Sequence, residues 1–191
     1  PEAPPVGLLK NTRYVGFLGI VFLVIFALFL PQQFTPNFLQ EVRGLSLSQI
    51  GLLGTLGVMG NALVTMAFGA WLSPRVGMLL GQVLTASFAL LIWQASGMPV
   101  YALAYLLLGG FRAARPMMAA QARELVHPSQ MGIAYGSLET VASLALTLAP
   151  LSAGLLYQRA PDLMYPVSLG FMALSFILTL WLGPRHRGEH A

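Results

Sequence analysis

Three charged residues of this sequence interrupt stretches that are otherwise apolar: Arg112, Arg115 and Glu139. An arginine inside the hydrocarbon of a membrane costs at least about 2.5 kcal/mol, and such residues usually face a cavity or a partner. Near a helix end, a long side chain can instead extend its charged group to the surface. We therefore expect Arg112 to serve a cavity or to reach the headgroups, and Arg115 is better placed for the second role.

The positions of Arg112 and Glu139 predict an ion pair. The helices that carry Arg112 and Glu139 are expected to reach the cytoplasmic surface near residues 120 and 132. At 1.5 Å per residue, each charged residue then lies about 11 to 12 Å from that surface. Neither charge has another evident partner inside the membrane, and Arg115 is a competing donor one turn away. A static pair would keep Glu139 ionised, whereas an isolated and partly desolvated carboxyl could carry a proton. Both roles stay open.

Polar side chains at helical spacing are candidates for contact with a small solute. Gln33 and Asn37 are four residues apart and share a helix face. They lie near an outer end, where polar groups can equally meet lipid headgroups. The residues that could line a cavity for such a solute are Gln32, Gln33, Asn37, Tyr101, Tyr105 and Arg112.

A stripe of glycines recurs at a spacing of three in another apolar stretch: Gly51, Gly54, Gly57 and Gly60. Small residues let helix backbones approach closely in lipid, where hydrophobic burial provides no driving force. The stripe therefore predicts close contact with another helix, either as static packing or as a surface that slides.

Other chemistry has no support in the sequence. The chain has no cysteine, its three histidines fall in predicted loops or the tail, and metalloprotease and nucleophile-elbow spacings do not occur. Phosphate-loop and dinucleotide patterns do not occur either. The sequence predicts a protein that is not an enzyme and has no metal site and no cofactor.

The elements that position these residues are predicted to be membrane helices. Of the 191 residues, 57% are hydrophobic and 8% are charged, whereas soluble domains carry roughly 25% charged residues. Uncharged stretches of membrane length must satisfy their own backbone groups, which favours helices in a lipid bilayer. The predicted helices are 12–39, 47–72, 76–96, 99–124, 131–158 and 163–183. The fold class is therefore an all-α integral membrane protein with six transmembrane helices.

The domain organisation predicted is a cytoplasmic linker over residues 1–11, a transmembrane bundle over 12–184 and a cytoplasmic tail over 185–191. The opening without Met suggests a cut or processed fragment. The two halves of the bundle each occupy about 85 residues, and at that offset Gly51 falls on Gly136 and Gly69 on Gly154. Two inverted three-helix repeats are expected.

The distribution of basic residues predicts the orientation in the membrane. One side receives Lys10, Arg13, Arg75, Arg112, Arg115, Arg123, Arg185 and Arg187, and the other receives Arg43 and Arg159. Without Arg112 and Arg115 the split is still six to two, so the positive-inside rule puts both termini in the cytoplasm of a multi-pass protein of the plasma (inner) membrane. Because the basic residues form no run or stripe, nucleic acid is not a predicted partner.

Several segments resemble the C-terminal half of major facilitator superfamily transporters. Residues 8–13 are similar to the start of that family's seventh helix, 43–46 to the start of its eighth, and 131–136 with 149–154 to its eleventh. Arg75 and Gly77 match its loop motif, but the motif's acid is replaced by Pro74. That departure leaves Arg75 as an anchor of topology and Gly77 as a turn former.

The resemblance implies one six-helix half of a transporter. In such proteins the first and fourth helices of a bundle line the cavity, the second and fifth contact the other bundle, and the third and sixth face lipid. The implied partners are the lipid bilayer, an N-terminal six-helix half on the same polypeptide or a second copy, and a small solute that moves with or without protons. The alternative is a structural or assembly protein on the same bundle, which a dry, apolar inner face would favour.

Overall fold

The computed structural model describes residues 7–182, which are helical with short connections and contain no strand. The α-helices are α1 (Thr12–Phe29), α2 (Thr35–Glu41), α3 (Leu47–Trp71), α4 (Pro74–Gln94), α5 (Met98–Leu107), α6 (Gly109–Leu125), α7 (Met131–Arg159) and α8 (Met164–Leu182). Three short 3-10 turns cover Leu8–Lys10, Leu30–Gln32 and Pro128–Gln130. Residues 1–6 of the predicted linker and the whole predicted tail lie outside the described residues.

Five helical stretches within residues 7–182 are long and apolar enough to cross a membrane: Thr12–Glu41, Leu47–Ala67, Pro74–Gln94, Pro128–Arg159 and Met164–Leu182. The fourth predicted span corresponds to α5 and α6, which follow each other across Leu108. Taken separately, α5 has 10 residues and α6 has 17, fewer than the roughly 20 that a membrane crossing needs. The helix positions predicted from the sequence otherwise agree with the structure to within a few residues.

Local sequence accounts for where the helices begin. Ser46 lies directly before α3, and its hydroxyl accepts from the backbone N–H of Gln49 at 3.3 Å while the Gln49 side chain accepts from the Ser46 N–H at 2.9 Å. This reciprocal capping box satisfies two backbone donors at the helix start. Gly97 has a φ of +110° directly before α5, a conformation that glycine adopts without steric cost. The break between the predicted helices 76–96 and 99–124 therefore corresponds to this residue.

A proline interrupts the first span. Pro31 has no N–H to donate to the carbonyl of Ala27, and α1 gives way to a 3-10 turn at Leu30. Two side chains supply replacement hydrogen bonds: the Gln32 amide donates to the Leu28 carbonyl at 2.6 Å, and the Thr35 hydroxyl donates to the Pro31 carbonyl at 2.6 Å. The span therefore continues into α2 in spite of the break.

The main contacts between spans form a symmetrical set. The first span packs against α7 and α8, the α5–α6 span packs against α3 and α4, and α4 packs against α8. If the first span is exchanged with the fourth, the second with the fifth and the third with the sixth, the same pairs of spans are in contact. Pro31 and Pro116 also lie at equivalent positions, 85 residues apart. Two related three-helix blocks would give this arrangement.

The exposed surfaces of the helices differ in chemistry. On α4 and α8 the large exposed side chains are apolar except for Gln94 at the end of α4; among them are Leu80, Val83, Leu174 and Ile177. Along α7 the exposed residues alternate between apolar side chains and Gly136, Glu139, Thr140, Ser143 and Thr147. The surface of α4 and α8 suits lipid, whereas that of α7 does not suit lipid alone.

Candidate functional site

A partly open cleft lies between α1, α6 and α7 and has a volume of about 370 Å³. Apolar side chains make up most of its lining, and Arg115 and Glu139 are its charged residues. The lining residues are Val21, Ile25, Arg115, Pro116, Met118, Ala119, Leu138, Glu139 and Ala142. Its volume lies within the roughly 300 to 1,000 Å³ of small-molecule sites in proteins. The cleft is therefore the candidate site of this bundle.

Arg115 forms the ion pair of the cleft. Its Nη2 lies 2.8 Å from Glu139 Oε2, and the two side chains are 42% and 61% exposed. The Arg112–Glu139 pair predicted from the sequence is therefore replaced by a pair with the competing donor. The helix end predicted at residue 124 is close to that observed, but depth was counted from a membrane boundary near residue 120 and not from the end of α6 at Leu125. Counted from that end, Arg115 is about 15 Å deep and Arg112 about 20 Å, whereas Glu139 is about 12 Å from the start of α7.

Arg112 lies one turn deeper than Arg115 and is exposed. It makes no ion pair with any residue that the structure describes. At 100° per residue, Arg112 and Ala119 are within about 20° of each other around the axis of α6. Arg112 thus lies on the same face of α6 as Ala119, which lines the cleft. Pro116 has no N–H for the Arg112 carbonyl, which leaves that oxygen without its usual helical donor.

The polar face of α7 continues from the cleft. Gly136, Glu139, Ser143 and Thr147 are all exposed, as the helical spacing of these residues predicts. The Thr147 hydroxyl donates to the Ser143 carbonyl at 2.8 Å, so it is satisfied within its own helix. The face can therefore pack against another helix without leaving that hydroxyl unpaired.

The two tyrosines predicted to line the cavity lie in the core instead. Tyr101 and Tyr105 are both buried in an apolar cluster together with Phe88 and Ile92. The Tyr105 ring packs edge-to-face on Phe88 with centroids 5.6 Å apart. They are separate from the cleft because α5 turns this face toward α3 and α4.

The glutamine and asparagine candidates lie near the C-terminal end of the first span. Gln32 is engaged with the Leu28 carbonyl, as described above. Gln33 is half-buried and Asn37 is exposed, and neither makes a hydrogen bond to a described residue. The structure therefore leaves Gln33 and Asn37 available, but it does not bring them to the cleft around Arg115.

The glycine stripe of α3 divides into two parts. A Cβ at Gly60 would lie 2.1 Å from the Leu106 carbonyl oxygen, and one at Gly57 would lie 3.5 Å from the Tyr105 ring. At Gly51 and Gly54 a Cβ would meet nothing within 4 Å. One half of the stripe thus packs inside the bundle, and the other half lies on an open surface.

Of the two loop-motif residues, Gly77 does not form the predicted turn, and the role of Arg75 as an anchor of topology stays a prediction. Gly77 is buried inside α4, and its N–H donates to the Ser73 carbonyl at 2.9 Å, so it is helical and does not form a turn. The Arg75 guanidinium donates to the Leu180 carbonyl of α8. A cation near the last carbonyls of a helix is favourable. Arg75 therefore ties α4 to the end of α8.

Sequence reasoning missed a buried polar cluster between α4 and α8. The Ser175 hydroxyl donates to Gln82 Oε1 at 2.7 Å, and Gln82 Nε2 donates to the Thr179 hydroxyl at 3.3 Å. All three side chains are buried. The available signal was the spacing of four between Ser175 and Thr179, which puts both on one face of an otherwise apolar helix.

A second missed contact joins the C-terminal ends of α2 and α7. The Tyr157 hydroxyl donates to Glu41 Oε2 at 2.6 Å, and the Tyr157 ring stacks on Phe34 with centroids 5.2 Å apart. No feature of the sequence pairs these residues, since they are more than one hundred positions apart. Among residues 7–182 there is no cluster of three or more histidine, aspartate or glutamate side chains that could hold a metal ion.

Comparison with known families agrees with this architecture. A family model described as Major Facilitator Superfamily matches residues 16–191. A search of curated proteins found no match. The match begins within the first span and runs to the last residue, and the all-helical fold with five membrane-length stretches is consistent with it. The chain therefore belongs to the Major Facilitator Superfamily.

Proposed function

We propose that this chain is the C-terminal six-helix bundle of a secondary active or facilitative transporter that moves a small solute by alternating access. Members of the superfamily are membrane transporters and not enzymes, and the chain is an integral multi-pass membrane protein. The observation that carries the proposal is the cleft with its Arg115–Glu139 pair. Charged groups at membrane depth mark solute or ion pathways, whereas a scaffold has no need of them.

The proposed partner is an N-terminal six-helix half, on the same polypeptide or supplied by a second copy. α3 and α7 are the helices most open to the surroundings, and α3 exposes Gly51 and Gly54 toward open space. Small residues on an exposed helix face allow a second bundle to approach closely. In this proposal residues 12–184 form the bundle, with the linker before it and the tail after it.

The proposed orientation has both termini in the cytoplasm of the plasma (inner) membrane. The Asn11 amide donates to the Leu125 carbonyl at 3.0 Å, which brings the start of α1 to the end of α6. Lys10, Arg13 and Arg123 therefore share one end of the bundle. Arg43 is at the opposite end, where it donates to the Trp93 carbonyl at 2.6 Å. This grouping supports the cytoplasmic assignment of the more basic end.

The pair in the cleft supplies a means of coupling. Protonation of Glu139 would remove the negative charge that holds Arg115, and the guanidinium would then be free to bind another acceptor. Because Glu139 also lies on the exposed face of α7, breaking the pair would change the surface that meets the other bundle. Proton coupling through Glu139 is therefore part of the proposal.

Reconstitution tests the proposal. The complete protein would be placed in liposomes loaded with a mixture of small metabolites, and efflux would be followed by mass spectrometry. We expect protein-dependent, saturable loss of particular solutes, and loss of that flux in Glu139→Gln. Arg159→Gln, which removes an exposed charge at the other end of α7, serves as the matched control and should retain flux.

The 191-residue chain alone should give no saturable flux, because one bundle supplies one wall of the cavity. Flux from the verified monomer of this chain, or complete protein that moves none of the solutes under an imposed proton gradient, would contradict the proposal.

A further inference from the structure

The membrane interior of the described bundle carries one unbalanced positive charge. Arg112, Arg115 and Glu139 are the charged side chains that lie away from the ends of the described spans. The Arg115 charge is balanced by Glu139 at 2.8 Å. Arg112 has no carboxylate partner among the described residues. Because a charge at membrane depth requires a partner or a wet cavity, Arg112 is suited to an anion that enters from outside the bundle.

The depth of Arg112 agrees with a solute site. Counted along the span from Met98 to Leu125, it lies about 20 Å from either end at 1.5 Å per residue. It is therefore close to the middle of its span. Solute sites of transporters lie near the bilayer midplane, at helices interrupted by glycine or proline. Here the span is divided at Leu108, and Pro116 follows one turn after Arg112.

The surroundings of Arg112 define the kind of anion. Arg112 is not itself a lining residue of the cleft but lies one helical turn before Arg115, which is. The lining is mostly aliphatic and includes Val21, Ile25 and Leu138. Those side chains favour an apolar body and leave few polar groups to replace the hydration shell of an inorganic ion. Arg112 is the one cation here without a carboxylate partner among the described residues, since Arg115 is already paired with Glu139, so the site balances a single negative charge. The site therefore suits one negative charge attached to an apolar group.

We propose that this cleft binds small organic monocarboxylates, with the carboxylate on the Arg112 guanidinium and the apolar body against the aliphatic lining. The guanidinium offers a planar fork of donors that matches a carboxylate. This inference rests on the proposed function, because it names the class of solute that the transporter moves. It is tested by binding alone, so its failure is distinguishable from a failure of transport.

The experiment measures equilibrium binding of radiolabelled benzoate to the whole chain in phosphatidylcholine nanodiscs, with empty nanodiscs subtracted. Unlabelled benzoate should compete, whereas benzyl alcohol, benzylammonium and the dianion phthalate should compete at least tenfold more weakly. Arg112→Gln should weaken benzoate binding at least tenfold, and Arg112→Lys should weaken it less, since charge without the fork remains. Arg159→Gln should bind like the parent.

One variant is expected to bind more tightly than the parent, and a misfolded protein could not show that result. Glu139→Gln frees Arg115 and leaves two cations, so its affinity for phthalate should rise at least tenfold over that of the parent. Equal competition by the neutral and anionic probes, unchanged benzoate binding in Arg112→Gln, or no saturable binding at all would overturn the inference. Saturable benzoate binding with no flux of any solute would leave it standing and reject the transport proposal instead.

Discussion

The contact between Gly60 and the α5–α6 span leads to the most specific prediction about stability. A Cβ at Gly60 would lie 2.1 Å from the Leu106 carbonyl oxygen and 2.7 Å from the Leu106 Cα. Ordinary contact begins at 3.4 Å, so the two backbones would have to separate by the difference of 1.3 Å. The obstacle is main chain and has no rotamer with which to move aside. We therefore expect Gly60→Ala to act at the upper end of overpacking, about 3 kcal/mol.

Gly51→Ala is the matched control on the same helix. A Cβ there meets nothing within 4 Å, and replacing glycine by alanine inside a helix is worth roughly 0.5 to 1 kcal/mol in favour of folding. The two variants thus make the same chemical change, but Gly60→Ala is expected to lower the free energy of unfolding and Gly51→Ala to raise it. Gly109→Ala should behave like Gly60→Ala, because its Cβ would lie 2.4 Å from the Gly60 carbonyl carbon.

Unfolding by SDS in mixed dodecylmaltoside micelles, followed by far-ultraviolet circular dichroism, measures these differences for the isolated chain. The reasoning predicts a large loss for Gly60→Ala and Gly109→Ala, and none for Gly51→Ala. Equal effects at Gly51 and Gly60, or a neutral Gly60→Ala, would refute the close approach of the two backbones.

Three further predictions concern other contacts. A double-mutant cycle of Arg115→Gln and Glu139→Gln in micelles should give a coupling energy below about 1 kcal/mol, because the pair is partly exposed, and a coupling of about 3 kcal/mol or more, as for a buried pair, would contradict that exposure. Gln82→Leu should cost about 0.6 to 1.7 kcal/mol, as for hydrogen bonds between membrane helices, and an unchanged SDS midpoint would reject its contact with α8. In intact cells an impermeant maleimide should label Arg159→Cys and spare Lys10→Cys, and the reverse pattern would reject the orientation.

The positions of the helices were predictable because a membrane fixes the length of an apolar segment. The predicted segment 47–72 corresponds to α3, and 131–158 corresponds to α7. Turn residues such as Gly97 marked the boundaries by their backbone requirements. Ser46 was identifiable as a cap because its hydroxyl can replace a backbone acceptor at the helix start.

The partners of individual side chains were less predictable. The ion pair was assigned to Arg112 because its depth was counted from a membrane boundary near residue 120, and an error of one turn in that boundary changes which arginine is level with Glu139. Tyr101 and Tyr105 were predicted to face a cavity, but the rotation of a helix about its axis depends on its neighbours. A span that is apolar on all sides contains little information about that rotation.

The most direct test of the central claim is access to Ser143 from the two sides of the membrane. Ser143 is exposed on the polar face of α7, one turn beyond Glu139, and the chain has no cysteine of its own. Ser143→Cys in the complete protein would be treated with an impermeant maleimide in intact cells and in inside-out vesicles. Ile177→Cys, on the exposed apolar face of α8, is the control that should react from neither side. Alternating access predicts labelling of Ser143→Cys from both sides. Labelling from one side alone, with solute and proton gradient varied, would contradict the account and indicate a static bundle.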